Sequence, residues 1–331
     1  MGWAYRKAIV INATADGTQT NYPMKVTLIK GVGVDVLGTI YLNNHALKWP
    51  IDIFFTTSNG ITEAKCWREV STATSGTWWI KANSIPLGGT WTGYIYYGNA
   101  DAADASNGDT TFDFFDDFPG VALDTVTKWT VTQGNTPTVA NSICTLKGLS
   151  NVRSDIVTKT IWGTNYAIRS LLKSKHFNDT NFYEAYGWSP ANQSATDEAD
   201  YANLSASSNA KYVASGGTYK TILGWVADTY AVQDIIRNGA TNIVCKVNDA
   251  NTVTLTDGLN NTVSMGAYAY VYSANNSELD LDWVLVRACT LNEPTWGNTG
   301  AEQGLQAALS FKGTSARFAI PTIAQVIKSA R

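Results

Sequence analysis

Glu278-Leu279-Asp280-Leu281-Asp282-Trp283-Val284-Leu285-Val286-Arg287 decides the fold class of this chain. Leu279 and Leu281 alternate with Glu278, Asp280 and Asp282. A period of two is the mark of a β-strand, whose successive side chains leave on opposite faces. Working outward, similar runs recur at Tyr166–Lys173, Phe182–Trp188, Ala199–Ser205, Lys211–Ala214, Thr221–Val226, Tyr230–Arg237, Asn242–Val247, Thr252–Leu255 and Met265–Tyr272. Asn238-Gly239 stands between two of them and predicts a tight hairpin. So many strands within residues 106–304 predict a two-sheet jelly roll.

Residues 1–105 repeat the pattern. Trp3, Tyr5, Lys7, Ile9 and Ile11 share one face of a first strand, with Ala4, Arg6, Ala8 and Val10 on the other. Met24–Ile29, Thr39–Leu42, Ile51–Phe55, Lys65–Glu69, Trp78–Lys81 and Thr92–Tyr97 follow, separated by turn clusters such as Ser58-Asn59-Gly60. This spacing predicts a smaller β-sandwich. The small, polar stretch Asn99–Thr111 reads as a linker. Residues 305–331 change character: they are basic, and Ile323, Val326 and Ile327 fall at i, i+3, i+4. That predicts a short amphipathic helix too small to stand alone, hence a docking tail. The expected architecture is all-β, with two β-sandwich domains and a short, partly helical C-terminal tail.

Composition narrows the function. The chain has 331 residues, 15% of them charged, and a net charge of −3. Phosphate neutralisation needs a basic surface, so nucleic acid is not the expected partner. Only His45 and His176 are histidines, which argues against a Ser-His-Asp hydrolase. Four cysteines stand singly, with no C-x-x-C pair, and read as buried free thiols rather than zinc ligands. No apolar stretch reaches membrane-spanning length. The N-terminus lacks the apolar run of a signal peptide and reads as a strand.

Several segments together resemble a known family. Trp3-Ala4-Tyr5-Arg6-Lys7, Asn21-Tyr22-Pro23, Asp52-Ile53-Phe54-Phe55-Thr56, Ile85-Pro86-Leu87-Gly88-Gly89-Thr90 and Tyr96-Tyr97-Gly98-Asn99-Ala100 resemble the domain of unknown function numbered 2341, a β module of surface and virion-associated proteins. Phe114-Phe115-Asp116-Asp117-Phe118, Leu123-Asp124, Trp129, the run Asp280–Arg287, Glu293-Pro294-Thr295 and Gly300-Ala301-Glu302-Gln303 continue the likeness. These later motifs are similar to the concanavalin A-like (laminin G-like) lectin/glucanase sandwich. That resemblance implies neighbouring first and last strands, which would bring Asp116 and Asp117 near Asp282.

The candidate sites follow. Asp116, Asp117 and Asp282 form a carboxylate group suited to a structural calcium ion, which takes six to eight oxygens. Phe182, Glu184, Tyr186 and Trp188 share one strand face and Trp225 is expected beside them; aromatic plates beside an acid suit a sugar. Glu278, Asp280 and Asp282 do not make a complete catalytic set: laminarinase-type enzymes close their strand motif with a Glu where Asp282 stands. No catalytic residue is therefore assigned. The expected function is a non-enzymatic virion structural protein of decoration, spike or tail-fibre type with a glycan-binding, adhesive sandwich. Its expected partners are host-surface glycans and, through Ile323, Val326 and Ile327, other copies of itself or other virion proteins. The alternative is a secreted cell-surface glycan-binding protein or glycoside hydrolase whose leader has been removed.

Overall fold

The computed structural model describes residues 2–149, 152–175, 182–189, 200–205, 210–215, 218–226, 228–238, 242–256, 264–273 and 277–305. Ile323, Val326 and Ile327 lie outside the described residues. Among the described residues no helix is long and apolar enough to cross a membrane.

The first sandwich contains β1 (Tyr5–Asn12), β2 (Gln19–Ile29), β3 (Thr39–Tyr41), β4 (Phe54–Thr57), β5 (Cys66–Ser71), β6 (Ser75–Ile85) and β7 (Thr90–Tyr97). β1, β7 and β4 make one sheet, and β3, β2, β6 and β5 the other. Alternation sorts the side chains as expected: Ile9, Ile11, Val26, Leu28, Trp78, Ile80 and Ile95 meet in one core. Arg6, Ala8 and Val10 are left on the far face of β1, half-buried.

The expected linker is partly helical. Asn107 accepts the Thr110 amide and caps α1 (Gly108–Thr111). There follow β8 (Phe114–Asp116), β9 (Trp129–Gly134), β10 (Thr138–Ala140), β11 (Ile143–Gly148), β12 (Arg153–Thr158), β13 (Tyr166–Lys175), β14 (Phe182–Ser189), β15 (Asp200–Ser205), β16 (Ala210–Ser215) and β17 (Thr218–Thr221). β18 (Ala231–Asn238), β19 (Asn242–Val247), β20 (Asn251–Leu255), β21 (Gly266–Ser273) and β22 (Ser277–Ala288) complete the second sandwich. One sheet runs β10-β11-β22-β13-β18-β19-β20, with β8 also on β22; the other runs β17-β16-β15-β14-β21-β12-β9. The antiparallel pair β18 and β19 flanks Asn238-Gly239, as a hairpin there requires. β9 to β12 are not legible as strands in the sequence. The run Thr221–Val226 is strand only at its first residue: Gly224 takes a positive φ of 97°, and Ile222 and Trp225 both turn into the core.

The acidic run on β22 is not a single unbroken alternation. Leu171 pairs with Trp283, but Leu172 pairs with Leu281, so Asp282 is an extra residue, a β-bulge. The bulge switches the phase of β22. Leu279 and Leu281 face the core before it, and Val284 and Val286 after it. Trp283 and Leu285 therefore emerge on the opposite face, where they meet Trp67, Trp79, Phe112 and Phe115. This contact joins the two sandwiches. Beside it Arg169 of β13 is sealed, donating to Glu69 (2.7 and 2.9 Å), to Asp249 (both 2.9 Å) and to Asp234.

The second block, expected to run to residue 304, gives its last stretch back to the first sandwich. β23 (Thr295–Trp296) and β24 (Gln303–Gly304) both pair antiparallel with β1. Gly297 and Gly300 amides donate to Val10 and Ala8 carbonyls at 2.8 and 2.9 Å. The chain thus returns to complete the first sandwich after finishing the second.

Candidate functional site

The aromatic strip expected on β14 is interior. Tyr186, Trp188 and Trp225 belong to the second core, and the Trp188 indole donates to the Ile235 carbonyl at 3.0 Å. Glu184 is 1% exposed, and Ser277 donates to it. The side chain of Phe182 lies outside the described residues. A Glu among aromatics suggests an open face; here the acid is instead buried. Burial pushes its pKa up to about 8, against the bonds from Ser174 and Ser277, so at neutral pH the group is a neutral acid. A neutral carboxyl can sit in a core where a carboxylate could not.

The three expected calcium ligands are not all brought together. β8 does lie beside β22, with Asp116 opposite Val284. However, Asp116 turns inward, accepting the Trp129 indole N–H at 2.6 Å and the Phe118 amide at 3.0 Å. Asp117 is exposed and lies close enough to Asp282 to raise that group's pKa, after burial, as a like charge. Among the described residues no group of three His, Cys, Asp or Glu side chains is placed to hold a metal ion. Glu278 and Asp280 are engaged by lysines: Lys147 to Glu278 at 2.7 Å, and Lys175 to Asp280 at 2.8 Å. The four cysteines are buried free thiols.

The other face of the β12–β21–β14 ribbon is more informative. On β21 the alternate residues Tyr268, Tyr270 and Tyr272 stand opposite Val157, Asp155 and Arg153 of β12. On the other side Tyr270 faces Ala185, and Tyr268 faces Gly187, of β14. Despite these small neighbours, Tyr268 and Tyr270 are only 3% and 6% exposed, and of the three phenols Tyr272 alone is partly open. Val157, Ala185, Tyr268 and Tyr270 form a cluster separate from the core, with Tyr272 packed at its edge. The Arg153 guanidinium lies 5.4 Å from the Tyr270 ring centroid, a cation–π contact.

Asp155 sits among these groups, 3% exposed. Its Oδ1 has no hydrogen-bond partner among the described residues. Burial raises its pKa to about 6, and the Arg153 charge only partly opposes this. A buried acceptor without a donor costs about 1–3 kcal/mol, more for a charged group. At its open edge the cluster therefore offers the Tyr272 phenol and the Arg153 guanidinium, beside a buried and unsatisfied carboxyl group. That set can stack on an apolar ring face and accept a hydroxyl proton. The sequence carries the signal, Tyr268-x-Tyr270-x-Tyr272 inside an expected strand, but alternation alone marks that run only as a strand. Asp155 gives no signal, because β12 does not stand out in the sequence.

A family profile described as a domain of unknown function, DUF2341, matches residues 49–132. No curated protein matches the chain. Solved structures with a similar strand arrangement include one reported with endo-acting O-glycanases of human gut microbiota that initiate mucin breakdown, at 10% identity and TM-score 0.45, covering 54% of this chain and 99% of that one. Endo-β-1,3-glucanase from Pyrococcus furiosus is similar at 11% identity and TM-score 0.43, covering 54% and 94%. The Emp47p carbohydrate recognition domain is similar at 7% identity and TM-score 0.42, covering 53% and 93%. At such identities and scores, none of them indicates what this chain binds.

Proposed function

We propose that this protein is a glycan-binding, adhesive β-sandwich protein, and that the outer face formed by Arg153, Asp155, Tyr268, Tyr270 and Tyr272 receives the saccharide. The observation that carries this reading is the buried, partnerless Oδ1 of Asp155 beside the Tyr270 ring. A sugar would meet the cluster at its rim, where Arg153 and Tyr272 are only partly buried, laying its C–H face against Tyr272 and turning a hydroxyl toward the Asp155 carboxyl. Binding rather than hydrolysis is the better fit. Glycoside hydrolysis uses a pair of carboxyl groups about 5–9.5 Å apart. On the described strands of this face Asp155 is the single acid.

The test is a glycan array read with the wild type, Tyr272→Ala and Asp155→Asn, with release of reducing ends assayed on every glycan that binds. Binding weakened about tenfold or more in both variants, without reducing-end release, is expected. Equal binding by all three proteins would overturn the site. Turnover that Asp155→Asn abolishes would replace the binding reading with a hydrolytic one. Display on a virion or cell surface, with residues 305–331 as the anchor, completes the proposal. Copurification with particles at fixed stoichiometry, lost on deleting those residues, checks it.

A further inference from the structure

The first sandwich carries its own aromatic row, on the face of β1, β7 and β4 turned away from its core. Trp3 stacks on Phe54 with ring centroids 5.6 Å apart. Phe54 leads to Tyr96 at 6.4 Å, and Tyr96 to Tyr94 at 6.3 Å. Trp3, Phe54 and Tyr94 are half-buried, each ring partly open to solvent. Register explains the row. Phe54 and Arg6 both stand opposite Tyr96, on its two sides, and Ala8 opposite Tyr94. Trp3 precedes β1 and leaves the face that alternation alone would give it.

Arg6 closes the row. Its guanidinium carbon lies 4.6 Å from the Tyr94 ring centroid. Its Nε donates to the Gln303 side chain at 2.8 Å, and its Nη1 to the Tyr96 hydroxyl at 3.2 Å. Tyr96 is held in turn by donating to the Gly60 carbonyl at 2.9 Å. Every one of these partners is neutral. Among the described residues Arg6 makes no salt bridge, whereas Arg68, Arg169 and Arg287 each pair with a carboxylate. The guanidinium is thus fixed on three sides while its charge is uncompensated and its Nη2 is unspent among the described residues.

We propose that this face is a second saccharide site, distinct from the Asp155 face, and that its occupant is an acidic oligosaccharide. The argument is charge complementarity joined to shape. A planar guanidinium with an open edge accepts a carboxylate or sulfate oxygen pair, and its orientation is already fixed, so little side-chain entropy is lost on binding. The partly open rings of Tyr94, Phe54 and Trp3 make a row that extends from that charge across the sheet, with Tyr96 buried within it. Successive sugar rings of a short chain can lie along it.

The experiment is titration calorimetry on the full chain with uronate and sulfated oligosaccharides, each beside its neutral counterpart of the same backbone. The acidic form is expected to bind at least tenfold tighter than the neutral form, and to weaken as salt is raised. The uronate and sulfate arms identify which anion is preferred. Arg6→Gln should remove the preference. Arg6→Lys, which keeps the charge but not the fork, should retain only part of it. Tyr94→Ala should weaken binding of both forms. Equal affinity for acidic and neutral forms, or no binding of either, overturns the proposal. So does concentration-dependent self-association by light scattering that Tyr94→Ala abolishes, which would give the face to a second copy of the chain. Loss of Asp155-dependent binding on the array leaves this site standing, so the two readings fail separately.

Discussion

Glu184 shows how one side chain's protonation state decides what a strand face is. Its pKa stands near 8 in the fold against an ordinary 4.5, raised by burial first. A raised pKa means that the native state holds the proton more tightly. Its contribution to stability is complete below about pH 4.5 and is lost as pH rises through about 8. Glu184→Gln copies the neutral acid in shape. The variant should gain stability over the wild type progressively between pH 5 and 8. Each tenfold difference in proton affinity between the folded and unfolded chain is worth about 1.4 kcal/mol, so the gain is several kcal/mol at most. Denaturant melts of both proteins across that range check this; a difference flat in pH would mean the wild-type carboxyl does not titrate there. Asp116 supports a second residue-scale prediction. Its carboxyl is spent on Trp129 and the Phe118 amide, so EGTA should leave the melting temperature unchanged. A fall of several degrees would restore calcium. Asp116→Asn should destabilise the protein regardless of calcium.

Two bulges do at the element scale what no alternation rule forecasts. On β5 the pairing slips between Arg68 and Val70, and on β22 an extra residue stands at Asp282. The first leaves Glu69 facing the junction, where it accepts from the Trp79 indole and from Arg169. The second turns Trp283 and Leu285 out to meet Trp67. Arg169 then bridges Glu69 of one sandwich and Asp234 of the other, with Asp249 completing the shell. Removing one partner of such a buried set leaves uncompensated charge, a cost of about 3–5 kcal/mol. Arg169→Ala should show a loss of that size by urea denaturation. Arg169→Lys should recover little of it, because an ammonium cannot bond three carboxylates in the guanidinium's plane. A near-neutral alanine variant would mean that the network does not hold the sandwiches together. Most strands are readable because one face is buried and the other is not. β9 is not, since only Trp129 in it is buried, and β10 has three residues.

For the whole molecule, the return of the chain to β1 sets the folding unit. Trp296 sits opposite Ile11, Glu302 accepts the Tyr97 hydroxyl at 2.6 Å, and the Leu305 amide donates to the Ala4 carbonyl at 2.7 Å. Residues 1–105 expressed alone would expose the edge of β1 and lose these bonds; an open edge invites pairing with another chain. They should aggregate or stay unfolded by circular dichroism. Residues 1–305 should melt within a few degrees of the full chain. A well-folded 1–105 fragment would show that β23 and β24 are accessory. The sequence alone determined the fold class and most of the strands, because these follow from local periodicity and from the cost of leaving apolar side chains in water. Only the tertiary structure decided which face of β14 is sealed, that Asp116 turns inward, and that the chain's end belongs with its beginning. Each of these depends on groups far apart in sequence: a serine that neutralises no charge but accompanies a protonated acid, an indole that claims a carboxylate, and an unpaired strand edge. Local pattern carries no record of them.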